Sequence, residues 1–147
     1  ALALVPTVAL AAGVVIHVPG DAATIQAGID AAQAADTVFV ACGTYYEHDV
    51  RMKSGISLRS ETGAAGCATI NAESLGRALV CLNANAQTRI EGLTFRHGRT
   101  DDGDGNEPWP GFGAGVFCIA SSPQIRACRF WDCYAESGGS SRTAVST

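Results

Sequence analysis

The chain has 147 residues, of which 47% are hydrophobic and only 16% charged, so its composition excludes an intrinsically disordered protein. Ten basic against fourteen acidic residues give a formal charge of −4 with a single lysine, which argues against nucleic acid as a partner. Seventeen glycines, six cysteines and 7% aromatic residues favour short strands and turns over a helical bundle.

The first sixteen residues carry no charge. Residues 1–13 are typical of the apolar region of a secretory signal peptide, with a small-x-small cleavage pattern at 9–11, and the alternative is a buried N-terminal strand. Pro6 and Gly13 interrupt the run, so no membrane span is predicted in the mature chain. We therefore expect a secreted or cell-surface protein. Residues 134–147 are polar and are predicted to be a flexible or truncated tail.

The six cysteines allow two interpretations. They form no CxxC motif and have no histidine at a zinc-like spacing, which argues against a structural zinc site. In an exported protein some of them would be disulfide-bonded, whereas otherwise they would be small core residues. The positions are Cys42, Cys67, Cys81, Cys118, Cys128 and Cys133.

Residues 14–36 predict a strand followed by the one helix of the chain. The β-branched run 14–18 ends at a Pro-Gly turn, and helical spacing of Ile25 and Ile29 predicts a helix over 22–35. Asp21 or Thr24 would cap this helix at its start. Gly28 weakens it by about 1 kcal/mol relative to Ala, so tertiary packing must hold it in place.

The rest of the chain predicts short strands with internal similarity. The segment at 90–95 aligns with 125–130 at an offset of 35, and 78–81 aligns with 115–118 at an offset of 37. Removing a turn-rich insertion at 99–112 leaves a period of about 22 residues. The predicted strands are Thr37–Ala41, Ile56–Arg59, Ala68–Ile70, Leu79–Leu82, Ile90–Phe95, Gly115–Ile119 and Ile125–Phe130.

This period favours a solenoid whose circuits bury their faces against one another. No leucine-rich repeat pattern is present, and strands occur several times per period, which favours a β-helix. An antiparallel sandwich would place Asp-Gly or Asn-Gly turns between its strands, whereas both Asp-Gly pairs lie together in the insertion.

Several segments in order resemble the secreted bacterial right-handed parallel β-helix repeat proteins with the pectin-lyase-like fold. The resemblance covers about residues 14–139 and implies an all-β fold, a right-handed parallel β-helix over 37–133 with one N-terminal capping α-helix. Cys42 stands at a position where this family often has proline, and Cys133 stands at one where the family usually has asparagine. Cys133 would there be a partner for Cys128. The segments are IHVPGDAATIQAGIDAA, DTVFVACGTYYEH, SGISLRSETG, CATINA, RIEGLTFRHG and SSPQIRACRFWDC.

The insertion is the best candidate for chemistry. Asp102, Asp104 and Asn106 follow the spacing that opens an EF-hand calcium loop, but Glu107 and Gly113 replace the expected glycine and glutamate. The segment is therefore a weak calcium site or a solvated acidic loop.

Ligand contacts are also predicted in this insertion. Trp109, between two prolines, is either an exposed platform for a sugar ring or an anchor beneath the loop. Asp104 and Glu107 would contact the same ligand.

The leading functional hypothesis is a module that binds extended polysaccharide without catalysis. The alternative, implied by the resemblance, is a calcium-assisted polysaccharide lyase or glycosidase with Arg96, Arg99, Asp101 and Asp102 as catalytic candidates. A third is a structural spacer or assembly unit. Unpaired strand edges predict end-to-end homo-association. The cluster at 47–49 is interpreted mainly as a solvated turn.

Overall fold

The computed structural model describes residues 3–4, 12–101 and 111–136, and this part of the chain is mostly β-sheet with one α-helix. All strand pairs in these residues are parallel. Sheet A contains, in spatial order, β1 (Val15–Val18), β2 (Thr37–Val40), β5 (Ser57–Ser60), β8 (Arg89–Glu91) and β12 (Gln124–Arg126). Sheet B contains β3 (Gly43–Tyr46), β6 (Ala68–Asn71), β9 (Leu93–Arg96) and β13 (Arg129–Trp131). Sheet C contains β4 (Val50–Met52), β7 (Leu79–Leu82) and β11 (Val116–Ile119), and the small sheet D contains β10 (Arg99–Thr100) and β14 (Tyr134–Ala135).

The chain visits sheets A, B and C in the same order three times, from β2 to β4, from β5 to β7 and from β8 to β11. Every strand pair joins strands of the same sheet from successive circuits. On the first two circuits the chain passes directly from sheet B to sheet C, and on the third it first adds β10. Within the described ranges, no sheet closes on itself.

The two long alignments read from the sequence are confirmed as strand registers. Ile125 pairs with Ile90, and Val116 pairs with Leu79, which reproduces both predicted offsets. The uniform period of about 22 residues, which the sequence predicts once the insertion is removed, is wrong for the other circuits. In sheet A, Thr37 pairs with Ser57 and Ser57 pairs with Arg89, and the second of these spacings is much longer than the first. Only strands must stay in register, so the turns between sheets are free to vary in length.

Two predicted strands are each divided by a bend. The segment at 90–95 bends at Gly92, whose φ of +70° lies in the left-handed region, and thus contributes to both β8 and β9. A Cβ at Gly92 would lie 2.4 Å from the carbonyl carbon of Gly63, so glycine is required there. Ala127, with φ of +49°, makes the equivalent bend between β12 and β13. The strands β3 and β4 were not among those predicted from the sequence.

The helix α1 (Ile25–Ala31) is shorter than the predicted 22–35. Its N-cap is Thr24, whose hydroxyl accepts a hydrogen bond from the backbone N–H of Ala27 at 3.1 Å. A Cβ at Gly28 would lie 2.9 Å from Cγ2 of Val18, so the glycine allows the close packing of α1 on sheet A. The helix contacts the first strands, β1, β2 and β4.

Two carboxylates fix the ends of α1. The half-buried Glu47 accepts hydrogen bonds from the backbone N–H groups of Ile25 (2.8 Å) and Gln26 (3.0 Å), so its interpretation as part of a solvated turn is wrong. The contact joins residues that are distant in the chain, which no local motif reveals. Asp36 accepts from the backbone N–H groups of Val14 and Gln33, each at 2.7 Å, and these bonds lower the pKa of its carboxyl group.

The core consists of side chains aligned from strand to strand between the sheets. In sheet A, Leu58 and Ile90 are both fully buried, and in sheet B Phe95 is fully buried and stacks on Phe130 at a centroid distance of 5.2 Å. Phe130 and Ile125 belong to the last strands of their sheets and are only half-buried. Packing therefore loosens toward β12 and β13.

Candidate functional site

Most of the predicted ligand-binding residues lie outside the described part of the chain. These are Asp102, Asp104, Asn106, Glu107 and Trp109, so the calcium site and the tryptophan platform stay predictions. Arg96, Arg99 and Asp101 are described. Arg96 ends β9 of sheet B, Arg99 begins β10 of sheet D, and Asp101 directly follows β10.

A row of four side chains crosses this outer face in strand register, and we call it the sheet B column. It consists of Tyr46, Asn71, Arg96 and Trp131, one residue from each strand of the sheet. Alternation places the neighbouring Ile70 in the core, so the column faces outward. Tyr46 and Trp131 are 64% and 56% exposed. Because neighbouring strands lie about 4.8 Å apart, the column extends over roughly 14 Å.

Two arginines each contact the aromatic ring of their strand partner. The guanidinium carbon of Arg96 lies 4.8 Å from the ring centroid of Trp131, and that of Arg99 lies 5.8 Å from the ring of Tyr134. Both pairs are in register, so strand pairing itself brings them together. Cation–π contacts at exposed sites contribute about 0.5–1 kcal/mol each. Each pair therefore places one positive charge against one aromatic ring.

His97 lies at the turn that follows the column, with a left-handed φ of +52°. Its Nδ1 lies 3.1 Å from Oδ1 of Asn71, which also accepts the backbone N–H of Glu73 at 3.0 Å. Because an amide oxygen can only accept, Nδ1 is the donor in this contact, and Nε2 of the neutral ring is then an acceptor. Nε of Arg96 donates to this Nε2 at 3.2 Å. Oδ2 of Asp132 also lies 3.2 Å from Nε2 and would accept from a doubly protonated ring.

These contacts are better suited to holding a ligand than to catalysis. A general base needs a lone pair directed at the substrate, and the Nε2 lone pair of neutral His97 is engaged by Arg96. Asp101 lies 4.0 Å from Nε of Arg99, and both side chains are about half exposed, so this ion pair is weak.

The described residues offer one cluster with metal-ligand atom types, Cys42, Glu61 and Cys67. Cys42 and Cys67 form a disulfide bond, so neither sulfur is available as a thiolate. Glu61 accepts the backbone N–H of Cys42 at 3.0 Å. Of the two interpretations of the cysteines, pairing applies to Cys42 and Cys67. Cys81, Cys118, Cys128 and Cys133 are free thiols, so Cys133 is not bonded to Cys128.

A shallow groove on sheet A is separate from the column. It is lined by Arg89, Ile90, Glu91, Gln124 and Arg126. None of these lining residues is aromatic, which distinguishes the groove from the outer face of sheet B.

The chain matches no protein-family model, no curated protein and no solved structure. Among the described residues, no helix has the length and apolar character needed to cross a membrane.

Sequence reasoning identified Arg96 and Arg99 but missed their aromatic partners. The signal was present, because the offset that aligns 90–95 with 125–130 also aligns Arg96 with Trp131 and Arg99 with Tyr134. Tyr46 and Asn71 had no such signal, because the spacings from Tyr46 to Asn71 and from Asn71 to Arg96 differ from the period expected from the sequence.

Proposed function

We propose that this chain is a module of a secreted or cell-surface right-handed parallel β-helix protein that binds an extended polysaccharide without catalysis. The repeated order of sheets A, B and C, with parallel pairing between successive circuits, supports the β-helix. The resemblance of the ordered sequence segments to right-handed β-helix repeat proteins supports the handedness and the export.

The sheet B column carries the functional proposal. Exposed aromatic rings present flat apolar faces with a polar edge, which suits the C–H face of a sugar ring. Tyr46 and Trp131 lie at opposite ends of the column, with Asn71 and Arg96 between them as hydrogen-bonding groups. A straight row of this kind fits a linear chain better than a single sugar.

The positive charges of Arg96, in the column, and of Arg99, in the next strand along the chain, favour an acidic polysaccharide. Arg96 and Arg99 each present a planar set of N–H donors that matches a carboxylate. Their aromatic contacts restrict the two side chains, so less side-chain entropy is lost when a carboxylate binds.

Affinity electrophoresis tests this proposal. The protein is run through gels containing polygalacturonate, with a neutral dextran gel as the reference. Trp131→Ala and Arg96→Ala should each weaken retardation by about tenfold in apparent Kd, which corresponds to about 1.4 kcal/mol. The matched controls are Leu82→Ala, an exposed apolar residue of sheet C, and Arg126→Ala, an exposed arginine of sheet A. Equal losses in the test and control variants, or no retardation of the unmodified protein, would refute the assignment.

The second candidate is a calcium-assisted polysaccharide lyase or glycosidase. One observation favours it, namely that Nε2 of His97 lies close to both Arg96 and Asp132. A lyase should release unsaturated products that absorb in the ultraviolet, a glycosidase should release reducing ends, and calcium should change either rate. Binding with no product release under any of these conditions would leave the non-catalytic function.

A third candidate is a structural spacer that associates end to end. Within the described residues, β11, β12 and β13 each have one edge with no paired strand. Unpaired edges of parallel sheets are templates for pairing with another chain. In this proposal, a second copy of the chain pairs with the free edges of these strands.

A further inference from the structure

We infer that Cys81 and Cys118 form a second disulfide bond when the protein is exposed to a small-molecule disulfide oxidant. The inference concerns sheet C and is independent of ligand binding at the sheet B column.

The positions of the two cysteines meet the geometric requirement for a disulfide bond. Cys118 of β11 and Cys81 of β7 are direct register partners on adjacent parallel strands. Adjacent strands place such partners about 4.7–4.9 Å apart, and disulfide bonds span Cα separations of about 4.4–6.8 Å. Alternation along the strands puts both side chains on the face that carries the buried Leu79 and its partner Val116.

The chain already contains a bond of the same kind. Cys42 and Cys67 lie one residue before Gly43 and Ala68, which are register partners in sheet B. Their Cα atoms are 4.5 Å apart, and the two sulfurs are bonded. Cys81 and Cys118 repeat this cross-strand relation in sheet C, one circuit further along the chain.

The two thiols differ in the way that a disulfide exchange requires. Cys118 is exposed, whereas Cys81 is fully buried. A hydrogen bond between the two side chains lowers the pKa of Cys118 and raises that of Cys81. Cys118 is therefore the thiol that attacks first, and Cys81 is the thiol that resolves the intermediate.

Oxidised glutathione is the oxidant in this reaction. The Cys118 thiolate attacks one glutathione sulfur, which forms a mixed disulfide and releases one glutathione thiolate. Cys81 then loses its proton and attacks the Cys118 sulfur, which releases the second glutathione. The two cysteines lose two electrons and two protons, and both glutathiones leave as thiols.

The other free thiols provide internal controls. Sγ of Cys128 contacts the carbonyl oxygens of Ile90 and Arg126, and Sγ of Cys133 contacts those of Phe95 and Trp131. Burial raises the pKa of both thiols, which slows their attack on a disulfide. In the described strands, neither is the register partner of another cysteine.

Peptide mapping tests the inference on the unmodified protein. The protein is incubated with oxidised glutathione, quenched with acid, denatured, alkylated and digested with trypsin. Trypsin places the four free cysteines on separate peptides, 78–89, 100–126, 127–129 and 130–142. We expect a cross-link between 78–89 and 100–126, with 127–129 and 130–142 alkylated. Alkylation of both Cys81 and Cys118, a persistent glutathione adduct on Cys118, or a cross-link from Cys118 to any other cysteine would overturn the inference.

A stability measurement tests the consequence of the bond. The bond would join β11 to β7 and so close a long loop in the unfolded chain. Oxidation should therefore raise Tm by about 5 °C or more. The rise should persist in Cys128→Ser and disappear in Cys118→Ser. Because Cys118 is exposed, the serine variant should fold. An equal rise in Cys118→Ser would overturn the assignment.

Discussion

The bend between sheets A and B gives the sharpest test of the packing. Gly92 and Ala127 make equivalent bends one circuit apart, and both have a left-handed φ. A Cβ at Gly92 would lie 2.4 Å from the carbonyl carbon of Gly63 and 2.5 Å from Oγ of Ser60. Ala127 already accommodates a Cβ. The two sites therefore share the left-handed backbone conformation but differ in the space available for a side chain.

The expected magnitudes follow from this comparison. Gly92→Ala adds a left-handed alanine, which costs about 1–2 kcal/mol, and an overpacked contact, which costs about 1–3 kcal/mol. We therefore expect the free energy of unfolding to fall by about 2–5 kcal/mol. Ala127→Gly removes the strain and should change the stability by less than about 1 kcal/mol.

Urea unfolding followed by circular dichroism measures both changes, since the linear extrapolation gives the free energy of unfolding in water. A Gly92→Ala variant within about 0.5 kcal/mol of the unmodified protein would refute the close approach of Gly63 and Ser60. If Ala127→Gly lowered the free energy of unfolding as much as Gly92→Ala, the two bends would not differ in the space available for a Cβ, and the reasoning would be refuted.

Three further outcomes are expected. Phe95→Ala should lower the free energy of unfolding by about 3–5 kcal/mol, and Phe130→Ala should lower it by clearly less because its ring is half-exposed. Equal losses for the two variants in urea unfolding would contradict the looser packing of the last strands. Hydrogen bonds from Gln33 and Val14 lower the pKa of Asp36 in the folded state. The ionised carboxylate therefore adds stability at pH values above its unfolded pKa near 3.8. This stability is lost as the pH falls through the lowered pKa of the folded state. Asp36→Asn should therefore reduce the acid sensitivity of the urea midpoint, and an unchanged pH profile would contradict this. The protein should associate in light scattering, with a mass that rises with concentration, and a monodisperse monomer at high concentration would contradict association through the strand edges.

The elements predicted correctly from the sequence rest on local spacing or on similarity between segments of the chain. The helix near Ile25 and Ile29 follows from its apolar spacing, and the registers at Ile90 and Val116 follow from self-similarity. The bend at Gly92 was missed because the self-similar segment 90–95 continues through it, and the requirement for glycine arises from the distant Gly63.

The candidate site could be predicted only where the circuits are similar in sequence. Arg96 and Trp131 are linked by the same offset as the aligned segments, whereas Tyr46 and Asn71 belong to earlier circuits whose turns have other lengths. The role of Glu47 at the start of α1 depends on a contact that forms only after the chain has turned back on itself.

The register of sheet B has a consequence for how affinity would depend on ligand length. Each circuit contributes one residue to the column and lengthens it by one strand spacing, about 4.8 Å. Oligosaccharides of increasing length should therefore gain affinity until they span the four positions and gain little beyond that. A protein with further circuits in the same register would shift this plateau to longer chains, because the number of circuits sets the number of binding positions.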